Sequence, residues 1–416
     1  MTEEETGPID YSQVSERMKR LSMNEFPSGA SVIRDRVEIN KHFYEWNLED
    51  SNKKDIEVIA TERSHLKQIE EAGYIRFPVW TKNLAGEDRE LEAWIHPDFE
   101  PSMTPGFEEK HGMKTNIYIP SYKRSEMEKS TWNMLKDFHA DNWYLCIDPS
   151  QWESYAKIFP LEKLIIRDIR FRDYEFYDAC SAVNAPITRR PHAGIYNFIL
   201  EFARSMGEEY FFFMDDDIGG MALKNYLGGE SGLETYAEKF GYRKEDFFRC
   251  SHLKEEYKFN LQKDYLAKLE NLAIASRNSG FVGGEKFGIS FAKSVVITHN
   301  TRVYCFYVND TKSARHQIGR QNNDVISSIE QQKWGRVNLL SQAFSYNSMQ
   351  TQADTGGSGG NTGMYNEFGT GDKGIVLVQA QPDISRVTFK YSRVHHTVNY
   401  AKYRGQRIVG APILTK

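Results

Sequence analysis

Three consecutive carboxylates, Asp215, Asp216 and Asp217, follow directly on the apolar run Phe211–Met214 in the stretch FFFMDDDIGGM. Carboxylates clustered at a strand end suit a hard divalent cation, Mg²⁺ or Mn²⁺, which takes one or two of them while a phosphate supplies other ligands. A solvated turn is the commoner fate of such a triplet. Here Tyr210–Met214 reads as a buried strand, which a surface turn does not need and a metal site does, for rigid support. Two chemistries use an edge of this kind. One is nucleotidyl transfer or nuclease action with two metals; the other is sugar transfer from a nucleotide-sugar, where the cation neutralises the departing diphosphate.

The elements that must position the triplet are legible upstream of it. NIYIPSYKRS (116–125) is a short apolar strand running into a polar loop, STWNMLKDF (130–138) a helix, and NWYLCID (142–148) a second strand that ends on Asp148. Residues 151–159 look helical, and KLIIRD (163–168) is a third strand. HAGIYNFILEFARSM (192–206) is a helix that places Ile195, Phe198, Ile199, Phe202 and Met206 on one face. Glu209–Met214 is the fourth strand. This alternation predicts an α/β, Rossmann-like fold with a mixed, mostly parallel sheet flanked by helices, whose ligands bind at the carboxyl ends of the strands. Asp148 stands at such an end and could accept hydrogen bonds from a nucleoside. Pro191 and His192 open the helix before the triplet, where backbone amides favour anions; His192 serves equally well as a simple cap.

Before this regular stretch, residues 1–30 read as a polar arm and residues 31–110 as a small α+β accessory region. In it IEVIA (56–60) reads as a strand, HLKQIEEAG (65–73) as a helix ending at Gly73, and YIRFPVW and LEAWI as strands. Residues 97–112, rich in Pro and Gly, read as a linker. After the triplet, residues 233–279 are largely helical, FGISFAKSVVITHN and RVYCFYV are strand-like, and NDVISSIEQQKW (323–334) is helical. TGGSGGNTG (355–363) is the one low-complexity segment.

The net charge of −5 is unevenly spread. Residues 1–110 hold 14 Lys/Arg against 24 Asp/Glu, a balance of −10, whereas Ile384–Lys416 holds seven Lys/Arg and no acid. That asymmetry points to an anionic partner for the later part of the chain. The tail FKYSRVHHTVNYAKYRGQR interleaves Tyr400 and other aromatics with Lys390, Arg393, Lys402, Arg404 and Arg407. Cations that neutralise phosphates and rings that stack on bases make up a nucleic-acid groove; the alternative is a half-buried strand with snorkelling Lys and Arg. No apolar run approaches the roughly 20 residues that span a bilayer, so no membrane partner is expected. The acidic, polar start MTEEETGPID is unlike a signal peptide. Four widely spaced cysteines without a CxxC pair predict reduced thiols and a cytoplasmic location.

The order of elements from NIYIPSYKRS to strand–DDD resembles the nucleotide-binding half of a GT-A glycosyltransferase. With the HAGIYNFILEFA helix and the later RQNNDVISSIEQQKWG, it is similar to the TET/JBP-associated glycosyltransferases, over roughly residues 114–400. The resemblance implies a GT-A-like catalytic unit at 111–416: a nucleotide-sugar half at 111–221, an acceptor half at 222–383 and a basic aromatic segment at 384–416. It implies a UDP-sugar donor, a Mg²⁺ or Mn²⁺ ion, and transfer to the hydroxyl of a hydroxymethylated pyrimidine such as 5-hydroxymethylcytosine in duplex DNA. Other acceptors of the same fold are a protein, a glycan or a small metabolite, and a catalytically silent DNA-binding protein is a further alternative.

By that resemblance, Asp215 and Asp217 form the metal and donor pair, with Asp216 beside them. Ser121, Lys123 and Arg124 follow the first strand, where such enzymes hold uridine and diphosphate. Asp324 stands where relatives carry the acidic residue that deprotonates the acceptor, with Glu285 in GGEKFG as the reserve base, on a loop approaching the sugar. One of His395 and His396 completes the metal shell. Many relatives read small–Arg–Asn where this chain has Ile195-Tyr196-Asn197, so a phosphate contact made by that arginine must come from elsewhere, Arg189 or Arg190.

Overall fold

The computed structural model describes residues 48–83, 86–100, 115–137, 140–172, 193–223, 265–276, 278–286, 297–299, 303, 305–318, 322–348, 371–390 and 393–403. The described residues open with helix α1 (Leu48–Glu71) and a hairpin of β1 (Ile75–Lys82) and β2 (Asp88–Ile95). The regular part follows as β3 (Ile117–Pro120), α2 (Thr131–Asp137), β4 (Trp143–Ile147), α3 (Trp152–Ala156), β5 (Leu164–Arg167), α4 (Ala193–Ser205) and β6 (Tyr210–Met214). Beyond it lie β7 (Ile218–Leu223), α5 (Ala267–Ala275), β8 (Ser279–Lys286), β9 (Ile297–His299), β10 (Phe306–Asp310), α6 (Asn323–Lys333) and β11 (Val337–Ser348). Helix α7 (Gly371–Ala380) and a separate hairpin, β12 (Ser385–Lys390) and β13 (Arg393–Val398), complete the described elements.

Eleven strands form one sheet in the order β1-β2-β5-β4-β3-β6-β10-β8-β11-β7, with β9 also paired to β11. Strands β5, β4, β3 and β6 run parallel, as predicted for the half that leads to the aspartates. To either side the sheet is mixed: β2 is antiparallel to β5, β10 to β6 and β8, while β8 and β11 are parallel. The α/β architecture is GT-A-like, and the β1–β2 hairpin is continuous with the same sheet through β2.

Why the run FFFM is continuous rather than alternating is now plain. Successive side chains of a strand point to opposite faces, and this sheet is covered on both. Phe212 and Met214 pack in one cluster with Ile117, Ile119, Leu145 and Ile147, beneath Trp132, Leu135 and Tyr155 from α2 and α3. Phe211 and Phe213 pack in the other with Tyr118, Tyr144 and Cys146, under Ile195, Phe198, Ile199 and Phe202 of α4. Strands buried on both faces read as unbroken apolar runs. Gly194 at the start of α4 is required by close approach, because a Cβ there would stand 2.4 Å from the Phe171 carbonyl oxygen.

One expected strand is overturned. IEVIA (56–60) lies inside α1, which runs unbroken over Leu48–Glu71. A five-residue β-branched run is ambiguous between strand and helix, and no Gly or Pro occurs between residues 48 and 72 to end a helix. Among the described residues no helix is long and apolar enough to cross a membrane. The proposed linker at 97–112 and the segment TGGSGGNTG lie largely or wholly outside the described residues.

Helix α4 ends in paired bonds from Gly207 N to Arg204 O and from Glu208 N to Ala203 O, with Gly207 at φ +78°. This stop turns Glu208 inward. Tyr118 donates to its Oε1 at 2.6 Å and Asn116 donates to the same atom, while Oε2 is buried with no hydrogen-bond partner. Burial pushes the Glu208 carboxyl up to about 8, against the hydrogen bonds from Tyr118 and Asn116. The folded state therefore holds a proton that the unfolded chain releases near 4.5. Stability should be fullest below that value and fall as pH rises towards about 8. Glu208→Gln should flatten this decline and raise stability at pH 8 by an amount on the order of 2–4 kcal/mol. Urea unfolding at pH 5 and pH 8 reads the difference; equal pH dependence in both proteins would contradict it.

Candidate active site

The triplet occupies the turn between β6 and β7, and the turn is pegged by one threonine. Thr131, the first residue of α2, donates its hydroxyl to the Asp215 carbonyl and accepts from Ile218 N at 3.0 Å; its backbone N–H donates to the Asp216 carbonyl at 3.0 Å. Asp215 N donates to the Cys305 carbonyl at 2.7 Å. The three side chains then diverge into three environments.

Asp216 is turned inward and fully engaged. Arg124 Nη1 donates to its Oδ1 at 2.6 Å and Ser121 Oγ to its Oδ2 at 2.7 Å. Ser121 in turn bonds Tyr155 Oη at 2.7 Å, which accepts from Arg124 N at 3.2 Å. Burial raises the Asp216 carboxyl, and the charge of Arg124 and the bonds from Ser121 and Arg124 work against it. Lys123 takes a left-handed backbone, φ +55°, with its N–H bonded to Gln151 Oε1 at 2.9 Å. Of the residues expected to hold the donor, Ser121 and Arg124 thus brace the triplet, while Lys123 is exposed on the loop between them.

Asp215 accepts from Tyr196 Oη at 3.2 Å and from the Cys305 thiol. Asp217 has a buried Oδ1 with no hydrogen-bond partner. Burial raises both carboxyls first, and repulsion within the triplet raises them further; Arg124 and Lys286 pull Asp217 back. Two half-buried, mutually repelling carboxylates and an unsatisfied oxygen match the donor set that a divalent cation takes. Among the described residues no three His, Cys, Asp or Glu side chains converge as a ready-made metal cage. Asp215 and Asp217 would therefore hold such an ion with phosphate and water oxygens as its remaining ligands.

Asp324 acts on the same carboxylate from a separate element. It sits in the first turn of α6, and its charge adds to the forces raising Asp215, the half-buried Tyr196 and Cys305, and the buried Tyr307. A buried amide network fixes this helix. Asn197 in α4 exchanges two hydrogen bonds with the Gln317 backbone, at 2.6 and 3.0 Å. The Gln317 side chain donates to Tyr307 Oη at 2.9 Å and accepts from Asn323 Nδ2 at 2.6 Å, one residue before Asp324. His396 lies against Asn322 at 3.4 Å, at the mouth of the same helix, and His395 folds onto the backbone of His396 at 2.8 Å.

Glu285 is not on a loop: it is buried in β8, in register with Ser345 of β11, because the SGFVGGEK segment pairs as a strand despite its glycines. Its neighbour Lys286 is the residue whose charge reaches Asp217. Asp148 forms a buried ion pair with Arg167 beside the end of β5. Lys402 pairs with Asp383 at 2.7 Å, and Tyr400 packs against the apolar cluster of α6 and α7. Arg189, Arg190, Pro191, His192, Arg404 and Arg407 lie outside the described residues, as do the side chains of Lys390 and Arg393.

Four contributors escaped the sequence reading: Thr131, Tyr196, Lys286 and Gln317. Tyr196 carried a signal, since it fills the position where relatives of the resembled family have arginine, and its hydroxyl reaches Asp215. Its ring stacks on Phe213 at 4.4 Å, which no local pattern reveals.

A family model described as TET-Associated Glycosyltransferase matches residues 115–357, from the residues just before β3 to just beyond β11. The chain belongs to the TET-associated glycosyltransferase family. It is thus a glycosyltransferase associated with modified DNA bases and served by a nucleotide-sugar donor. The matched span contains Asp148, the triplet, Glu285, Gln317 and Asp324, and excludes α1, the β1–β2 hairpin, α7 and the β12–β13 hairpin. No curated protein and no solved structure matches the chain.

In this glycosyltransferase, Gln317→Ala would leave the buried Tyr307 hydroxyl and the Asn323 amide without their partner. The expected loss is roughly 1–3 kcal/mol of stability, read as a lower urea midpoint. An unchanged midpoint would remove the amide network from what holds α6 against β10.

Proposed function

We propose that this enzyme transfers a sugar from a UDP-sugar to the hydroxyl of 5-hydroxymethylcytosine in duplex DNA, with Mn²⁺ or Mg²⁺, as a step of phage DNA hypermodification. The observation that carries the reading is the half-buried Asp215–Asp217 pair at the end of β6, with its unsatisfied Oδ1 and within reach of the charge of Asp324. Asp215 and Asp217 hold the ion, which when bound neutralises the diphosphate leaving group. Lys286, whose charge already reaches Asp217, lies where it adds positive potential for the same diphosphate. Arg124 and Ser121 keep Asp216 from competing for the ion.

Asp324 accepts the proton of the acceptor hydroxyl as that oxygen bonds to the anomeric carbon and the bond from this carbon to the diphosphate breaks. The step is a direct displacement with no covalent enzyme intermediate, and a positioned base of this kind contributes about 10²–10⁴-fold. Its location at the N-terminal end of α6, braced through Asn323 and Gln317, fixes where the hydroxyl must stand.

The test is incubation of the purified protein and Mn²⁺ with a panel of UDP-sugars, with and without duplex DNA containing 5-hydroxymethylcytosine. Digested nucleosides are then read by mass spectrometry. The modified base should gain the mass of one sugar; Asp217→Ala should abolish UDP release and transfer alike. Asp324→Asn should lower transfer by about 10²–10⁴-fold. UDP release with no change to the DNA would move the acceptor to a protein, glycan or metabolite hydroxyl. No UDP from any donor would overturn the donor assignment.

A further inference from the structure

The β12–β13 hairpin lies outside the span shared with the family; it packs on α7 and reaches the helix that carries Asp324 at its base and at Asn322. Its base is fixed near the C-terminal end of α6. Asp383, just before β12, pairs with Lys333 at 3.2 Å, and Gln381 donates to Glu330. Ile384 and Tyr403 pack with Val325, Ile326 and Ile329 along the helix. Midway up the hairpin, His396 meets Asn322 at the N-terminal end of the same helix. The hairpin therefore runs the length of α6 and continues past the end where Asp324 sits.

What continues past that end is aromatic and exposed. His396 is in register with Val387, and Val394 with Phe389, two residues nearer the tip. Residues two apart share a face at about 3.3 Å per residue, so Phe389 stands about 7 Å beyond His396 on the face that Val387 and His396 occupy. Val387 is covered by Ile375 and Val378 of α7, and Val394 packs near Gly374. Phe389 overshoots that cover and is 57% exposed. It is followed by Lys390 and precedes Arg393 in a segment, Ile384–Lys416, that has seven Lys/Arg and no acid.

We infer that this hairpin is an acceptor finger whose Phe389 stacks on a DNA base beside the target nucleotide, holding open the place from which the target base is drawn toward Asp324. The inference rests on DNA being the acceptor. Enzymes that act on a base in a duplex extrude it, and apolar side chains wedged between base steps hold the unstacked site. An aromatic ring in a cationic segment suits a base stack with phosphates on either side. Single-stranded DNA, already unstacked, has less need of the wedge.

The experiment compares full-length wild-type protein with Phe389→Ala and Phe389→Trp on two acceptors of one sequence. These are a duplex and a single strand, each with one 5-hydroxymethylcytosine next to 2-aminopurine. The readout is the ratio of sugar transfer on duplex to transfer on single strand, together with 2-aminopurine fluorescence on binding the duplex. Phe389→Ala should lower that ratio by about 10- to 100-fold, the range for loss of one base–aromatic stack, and should suppress the fluorescence rise. Phe389→Trp should keep both near wild type. An unchanged ratio, or equal losses on both acceptors, overturns the wedge while leaving DNA as acceptor. Wild-type protein that glycosylates neither acceptor while releasing UDP overturns the acceptor reading itself, and the wedge with it.

Discussion

Setting Asp215, Asp216 and Asp217 side by side at the end of β6, one buried and two half-buried, brings like charges together where water screens them poorly. The surrounding elements divide that repulsion unequally. Arg124, presented by the loop after β3, neutralises Asp216. Tyr196 from α4 and the thiol of Cys305 share Asp215 by hydrogen bonding alone. Asp217 keeps an oxygen for which the protein provides nothing. One carboxylate is thus spent on structure, and the other two remain as a mutually repelling pair. The same field links Asp215 to Tyr307 and Asp324, so β6, β10 and α6 are coupled electrostatically.

That arrangement depends on rigidity further in. β6 is apolar on both faces, which lets it end at a fixed depth between two packed layers and present its carboxylates without slack. Thr131 then locks the turn with a single hydroxyl that accepts from Ile218 and donates to Asp215. On the acceptor side the Asn197–Gln317–Asn323 amides bring α6 to the same level, linking helix, loop and strand through groups with no exposure to speak of.

The stretch from β3 to β6 was legible because its signals are local. An unbroken FFFM run, a helix with one apolar face and a switch to carboxylates each follow from neighbouring residues, and the parallel sense of these strands followed from alternation alone. The part after β7 was less so. β8 contains SGFVGG and β11 mixes polar and apolar residues without a regular period through VNLLSQAFSYNS, so neither reads as a buried strand until each is seen to pair with the other. IEVIA misled in the opposite direction, since β-branched residues in a long unpunctuated segment yield to helix. At the site, Asp324 and the triplet could be named from their positions at element ends. The partners that decide their chemistry, Arg124 on Asp216 and Gln317 beneath Asn323, are 92 and 6 residues away and are joined only by folding.

The strand order carries one more consequence. From β6 to β7 the sheet passes through β10, β8 and β11, four inter-strand steps, or about 19 Å if the sheet were flat. Yet only residues 215–217 separate the end of β6 from the start of β7, and four extended Cα steps reach no more than about 14 Å. The sheet between β6 and β7 must therefore curl back on itself, like a partly rolled page, with the aspartate turn as the stitch joining its two margins. In such a form the length of the turn is fixed as firmly as its chemistry: an added residue would let the roll open.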